Sequence, residues 1–342
     1  MHLRSFLALA IGLAAVLPSG HALAGRDLDA VKARGALICG VAAGGLAGFM
    51  AADSQGKWTG LDVDVCRAVA AALFGDSEKV KYVPVSPQQR FTALQSGEVD
   101  MLSNNTTWTL TRDTALGLDF TGVTYYDGQG FMVPKKLGVK SAKELNGATI
   151  CVPSGSTTEL NIADYFRANR MTFKPVIIED VDQIRAAFFS GRCDVYTGDR
   201  ARLFATRSAN TANPDDYVIL PEIISKEPLG PVVRHGDNQF GDIVRWAQYA
   251  MLEAEEYGIT SKNVDEMLKS DNPVIKRILG ITPGMGNALG VDEKWVYNIV
   301  KQVGNYGECF ERNLGMASPL KMDRGLNKLW TQGGLQYAPP IR

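Results

Sequence analysis

Three stretches of this 342-residue chain carry side chains of the types and spacing needed to hold a small charged molecule. The first is SNNTTWTLTRD, residues 103–113, where short hydroxyl and amide side chains crowd around Trp108 and precede Arg112. An arginine presents a planar fork that meets a carboxylate in two parallel hydrogen bonds, about 1.5–3 kcal/mol for a charge-assisted contact. Asn105 and Thr107 would then orient the remaining polar atoms of the guest. The plainer use of Arg112 is a pair with Asp113 or Asp119, which stabilises little at a surface. The second stretch, PSGSTTE at 153–159, opens a helix. Gly155, Ser156 and Thr157 would offer free backbone N–H groups at the positive end of its dipole, a setting that suits an anion. Ser156 and Glu159 also spell a capping box, and the two uses are compatible because a cap fixes the amides. The third is Asp199, which ends DVYTGD as a lone carboxylate suited to an ammonium group or to a surface pair with Arg200 or Arg202. Two anion-binding features and one cation-binding feature on a common cleft match a zwitterion, so the expected guest is an α-amino acid.

Other chemistries lack their residues. Of the three histidines, His2 and His21 fall in the N-terminal leader, which leaves His235 and excludes a histidine metal site or a two-histidine mechanism. No G-x-S-x-G or C-x-x-C spacing occurs, and the adjacent carboxylates Asp215 and Asp216 fall in a loop. No catalytic residue, metal or cofactor is expected. A dehydratase-like enzyme on the same scaffold and a ligand-sensing module are the competing readings. Lys+Arg number 36 against 37 Asp+Glu, so no overall field favours nucleic acid.

Bringing three distant stretches to one edge needs a scaffold, and the chain's internal repetition supplies one. Gly35-Ala36-Leu37-Ile38-Cys39 recurs as Gly147-Ala148-Thr149-Ile150-Cys151, and Ser96-Gly97-Glu98-Val99-Asp100 as Ser190-Gly191-Arg192-Cys193-Asp194. Each unit reads strand, helix, strand, helix, strand, with helices over 90–95 and 181–189 stopped by glycine. That order implies two α/β lobes with parallel sheets and right-handed crossovers. The Pro/Gly/Lys stretch FMVPKKLGVKSAKEL and the later ILPEIISKEPLGPVVRHGD read as two crossings, which together make a hinge. Guests of such folds sit at the carboxyl ends of the strands. The expected divisions are a leader over 1–24, a first lobe over 25–135, a second over 136–225, and a return to the first over 226–342 with a helical extension. The leader, with Arg4, an apolar run and Ala22-Leu23-Ala24, reads as a signal peptide cleaved after Ala24.

Of five cysteines, Cys39 lies on the first strand and Cys66 on the helix over it, while Cys151 and Cys193 open two strands of one sheet. The expected pairs are therefore Cys39 with Cys66 and Cys151 with Cys193, leaving Cys309, although the sequence leaves other pairings open. Trp58 and Trp108 are assigned to packing rather than to stacking on a guest. VDEKWVYNIVKQVGNYGECFERNLG and MDRGLNKLWTQGG read as amphipathic helices that wrap the first lobe.

The chain resembles the periplasmic solute-binding proteins of polar amino acid ABC transporters, family 3, over residues 35–260. The resemblance rests on GKWTGLDVDVCRAVA, RFTALQSGEVDML, WTLTRDTALGLDFTGVTYY, GATICVPSGSTTEL and GRCDVYTGD in that order. Its long C-terminal extension is similar to that of the general L-amino acid-binding subgroup. The resemblance implies a two-lobed type II periplasmic-binding-protein fold and a monomer in the periplasm that hands an L-amino acid to a membrane permease. It assigns the ligand carboxylate to Arg112 of Thr109-Leu110-Thr111-Arg112, the hydroxyl five residues earlier to Thr107, and the backbone acceptor before it to Asn105. Gly155, Ser156 and Thr157 form the family's turn, and Asp199 receives the α-ammonium. Many basic-amino-acid binders of the family place an acid and an aromatic after the first strand, where this chain has Ala43-Gly44-Gly45-Leu46. Broad specificity favouring polar amino acids is therefore expected, with Gln88 and Gln89 placed to meet polar ligand side chains.

Overall fold

The repeated Gly-Ala-x-Ile-Cys segments become the first strands of two sheets built to one plan. The structure is a computed structural model that describes residues 25–342, and the leader read from residues 1–24 lies outside the described residues. The first sheet runs in the order Val80–Val85, Leu37–Ala42, Met101–Leu102, Val232–Arg234, Leu118–Phe120. The second runs Lys174–Ile178, Thr149–Pro153, Val195–Asp199, Gln129–Pro134, Tyr217–Ile219. In each, the leading three strands are parallel and buried residues dominate the first strand, as a sheet covered on both faces requires.

The fourth strand of each sheet runs against an otherwise parallel order. Val232–Arg234 and Gln129–Pro134 both run antiparallel to their neighbours. Each arrives directly from a hinge crossing, so it enters at the carboxyl edge and must run down the sheet. The pairing of Gln129–Pro134 also puts these residues in the second sheet, ahead of the division expected at 135. FMVPKKLG has the composition of a linker, yet Phe131, Met132 and Val133 are fully buried. The crossings themselves are Tyr125–Asp127 and Glu227–Leu229, paired antiparallel with Glu227 opposite Asp127. Beside them the chain passes itself at Gly230, where a Cβ would lie 1.9 Å from the Gly122 carbonyl oxygen, so only glycine fits.

Helix Leu61–Phe74 follows the first strand, buries nearly its whole length and stops at Gly75 in the left-handed region. Helix Val181–Phe189 has the bounds read from the sequence. Cys39–Cys66 and Cys151–Cys193 are disulfides, as expected from the elements they sit on, and Cys309 is a buried free thiol.

From strand Val232–Arg234 onward the chain is back in the first lobe, and helix Asn238–Glu256 packs into its core. Helices Trp295–Gln302 and Tyr306–Asn313 bury Trp295, Ile299, Val300, Tyr306 and Phe310 in one core with Val65, Ala68 and Met251. Asn305 and Glu308 form a capping box that starts the second of these helices. MDRGLNKLWTQGG is not a helix: it makes the short turns Gly325–Asn327 and Trp330–Gln332 and doubles back to pair Leu329 with Gln336. Gly334 permits this, since a Cβ there would lie 1.8 Å from the Lys328 carbonyl oxygen. The turn lays Asn327 against the hinge, where its amide accepts from Tyr126 N at 2.7 Å and donates to Tyr126 O at 3.1 Å.

Candidate functional site

The loop after Met101–Leu102 is held from below by one carboxylate. Asp62, in the first turn of helix Leu61–Phe74, accepts from Ser103 Oγ at 3.0 Å and from the Asn105 backbone N–H at 3.1 Å. Burial pushes the Asp62 carboxyl up to about 7, and the bonds from Ser103 and Asn105 only partly offset it. Thr106 donates to Asn104, and Asn105 is turned into the left-handed region at φ 58°. Much of the short polar set therefore shapes the loop, which aims Asn105 and Thr107 into the space between the lobes.

Arg112 follows in the short helix Leu110–Thr114, whose N-cap Thr109 accepts from the Arg112 backbone N–H at 3.3 Å. Its guanidinium donates to the Thr107 carbonyl at 2.9 Å and lies 5.0 Å from the Phe91 ring centroid. Asp113 instead accepts from Phe120 N, and Asp119 faces His235, so neither sequence neighbour takes Arg112. Arg90 sits 4.9 Å from the same ring. Among the described residues neither arginine makes an ion pair. Burial lowers both guanidinium pKa values, Arg90 the more because Arg112 and Arg202 repel it. Two desolvated cations on one ring, with Arg90 Nε and Asn105 Nδ2 lacking partners, make this wall receptive to acceptor atoms. Arg90 went unassigned because in RFTALQSGEVDML it reads as an ordinary first-turn helix residue.

In the second lobe, Ser156 caps helix Thr157–Ala168 by position only. Its hydroxyl donates to the Pro153 carbonyl at 2.6 Å, while Glu159 accepts from the N–H of Gly155, the residue before the cap, at 3.3 Å, so neither half of the capping box forms. The first-turn amides stay uncapped by Ser156. Gly155 sits at φ 69° under Gln88, whose Oε1 a Cβ would approach to 2.3 Å, and Ser154 Oγ donates to that same atom. Gln88 thus bridges the lobes at the rim.

Asp199 lies at the edge of the second sheet, 7% exposed. Its anticipated surface pairs do not form: Arg200 donates to the Leu220 carbonyl at 2.9 Å, and Arg202 reaches across to Asn105 Oδ1 at 3.3 Å. Burial, then repulsion from Asp127 and Glu227, pushes the Asp199 carboxyl up to about 8. Asp127 is itself raised to about 6 by burial.

These groups surround a cavity of about 30 Å³ lined by Arg90, Asn105, Thr107, Ser156, Thr157, Asp199 and Arg202. Arg112 stands one layer behind Thr107, and Gly155 and Gln88 stand at the rim. The volume is that of a water or so, so a larger guest enters only when the lobes part. Closure is secured at the mouth by Ser86 to Glu179 at 2.8 Å and Arg185 to the Gly44 carbonyl at 2.9 Å. Glu227, on the second crossing, was also missed by the sequence reading because KEPLG looks like plain loop. Among the described residues no cluster suits a metal ion and no helix is long and apolar enough to cross a membrane.

Residues 37–265 match the model of bacterial extracellular solute-binding proteins, family 3. The chain is similar to the general L-amino acid-binding periplasmic protein of Rhizobium johnstonii, 58% identical over 98% of both chains. It is also similar to the glutamate/glutamine/aspartate/asparagine-binding protein of Rhodobacter capsulatus, 57% identical over 96% of both. Among solved structures, an ABC transporter periplasmic binding protein from Brucella ovis with glutathione bound superposes with a TM-score of 0.90 and 59% identity. That match covers 92% of this chain and 99% of the other.

Proposed function

Because this chain belongs to the bacterial extracellular solute-binding proteins, family 3, we propose that it captures L-amino acids between its lobes for an ABC transporter. It is a binding protein and not an enzyme, as its family and its relatives at 57–58% identity are. The observation that carries the ligand class is the cavity's division of charge. Arg90 and Arg112 lie on the first lobe and Asp199 lies on the second, beside Arg202, and none of the four makes an ion pair among the described residues. A ligand carboxylate meets Arg112 and the amides of the Gly155-Ser156-Thr157 turn, and its α-ammonium meets Asp199 with Asn105 and Thr107. The partnerless donors of Arg90 and Asn105 suit an acceptor on the ligand side chain, which favours polar amino acids, with Gln88 closing the mouth. A lysine side chain would bring a cation to that same wall, so basic ligands bind weakly.

In this reading the protein is a periplasmic monomer, with residues 1–24 as its export signal and a membrane permease as its receiving partner. The test is calorimetric titration of residues 25–342, stripped of ligand by unfolding and refolding, with L-glutamine, L-glutamate, L-asparagine, L-aspartate, L-leucine and L-lysine. Dissociation constants of micromolar or tighter, about −8 kcal/mol, are expected for several of the polar members. Silence across the panel removes the reading, and tight binding of lysine alone removes the polar preference.

A further inference from the structure

Glu227 is 1% exposed on the hinge crossing and is the most densely hydrogen-bonded carboxylate near the cavity. Its Oε2 accepts from Thr107 Oγ1 at 2.5 Å and Thr157 Oγ1 at 3.0 Å. Its Oε1 accepts from Asn161 Nδ2 at 2.7 Å and Ser225 Oγ at 2.6 Å. These partners come from the first lobe, the second lobe and the hinge. A hydroxyl has one proton to give and two lone pairs, and a carboxylate has only lone pairs to offer. Thr107 and Thr157 therefore spend their protons on Glu227. Both threonines line the cavity and Glu227 stands behind them, so only lone pairs face the guest. Their oxygens lie 3.4 Å apart, a contact that then has no proton of its own and that a cationic donor would relieve.

We propose that Glu227 sets the hydrogen-bond polarity of the cleft, fixing the Thr107 and Thr157 hydroxyls as acceptors for the ligand's ammonium group. This rests on the amino acid reading and deepens it. The ammonium has three protons to place, and Asp199, on the same cavity, takes one side of it. Glu227 is thus a positioning residue that acts through two hydroxyls. It also explains why hydroxyl side chains, able to donate or accept, can discriminate here: their orientation is decided before the ligand arrives. A carboxylic acid without an ammonium would meet two oxygens that cannot donate to it.

The test compares L-glutamine with glutaramate, the same molecule without its ammonium group, by calorimetry on the unsubstituted protein, Glu227→Gln and Asn161→Ala. The glutamine side chain can itself donate, so Glu227→Gln frees hydroxyl protons to point at the cavity. Its affinity for L-glutamine is expected to fall about tenfold or more while that for glutaramate changes little, so the discrimination ratio collapses. Asn161→Ala breaks a bond to the same carboxylate but leaves the hydroxyls committed, and should keep the ratio. A parallel loss for both compounds in Glu227→Gln, or no loss, overturns the assignment in favour of a purely structural strut. If Glu227→Gln does not fold, Thr157→Val, which has no lone pairs, should lose the same ratio and Thr157→Ser should restore it; an unchanged ratio in Thr157→Val overturns the proposal. Silence of the unsubstituted protein to both compounds overturns the amino acid reading and this one with it.

Discussion

The two lobes share a strand order and differ in what backs them. Behind the first sheet, helices Leu61–Phe74, Asn238–Glu256, Trp295–Gln302 and Tyr306–Asn313 merge into one large core. The second sheet has only its own helices and two small clusters, around Phe166 and around Phe188. The site is divided in the same way. The buttressed lobe holds buried arginines on Phe91 and a loop tied to Asp62, groups whose desolvation needs rigid surroundings. The lighter lobe brings a helix N-terminus and Asp199, which tolerate a journey because backbone amides and a short side chain carry their geometry with them. Repetition of one plan thus yields an anvil and a jaw.

The sharpest way to break this comparison is to weaken each core separately. Phe310→Ala in the extension should cost about 3–5 kcal/mol and lower only the first lobe's unfolding transition, and Phe166→Ala should lower only the second's. Denaturant titrations followed by hydrogen exchange would read this, and one transition moved equally by both changes would dissolve the distinction. Next in size, Arg112→Ala should weaken amino acid binding by at least about 2 kcal/mol, roughly thirtyfold, with melting unchanged. Wild-type affinity in calorimetry would remove Arg112 from the site.

A smaller effect belongs to the jaw. In the closed fold the Asp199 carboxyl lies at about 8 against an ordinary 3.8. The fold therefore keeps a proton that the unfolded chain has lost, and its stability falls as pH rises from about 4 through about 8. Asp62 and Asp127, raised to about 7 and about 6, act in the same direction. The melting temperature of the ligand-stripped protein should fall between pH 5 and 8, most steeply below about 6 where all three groups contribute, and above about 7 mainly through Asp199. Asp199→Asn should flatten that upper part, and so should a bound ammonium ligand, which takes the proton's place. A slope unchanged in Asp199→Asn would refute the assignment. Smallest of all, Asn327→Ala removes two hydrogen bonds to Tyr126, roughly 1 kcal/mol of local stability, and should speed amide exchange at Tyr126 without altering affinity for L-glutamine. Unchanged exchange would show that the extension does not brace the hinge.

Local pattern made the repeated units, the glycine helix stops and the two disulfides legible, because each depends on residues close in sequence, on one strand and its covering helix, or on two neighbouring strands of one sheet. Hinge strand order was not legible: Gln129–Pro134 reads as linker until its neighbours in the sheet are known. At the site, Arg112 and Asp199 declared themselves by charge at the end of a strand or loop. Arg90 and Glu227 did not, since the first is an ordinary helix-start residue and the second sits in a loop-like KEPLG. Their meaning comes from a shared phenyl ring and from hydroxyls more than a hundred residues away for Thr107. The tail's two short turns were hidden for another reason: MDRGLNKLWTQGG has helical spacing, but the close approach at Gly334 overrides it.

The fifth cysteine gives the extension a bearing on the two cross-links. A free thiolate attacks disulfides and reshuffles them, and this chain must settle Cys39–Cys66 and Cys151–Cys193 with Cys309 still available. Once helix Tyr306–Asn313 docks, burial pushes the Cys309 thiol well above the ordinary value and withdraws the thiolate from exchange. The docked tail thus keeps a spare thiol out of reach of both cross-links.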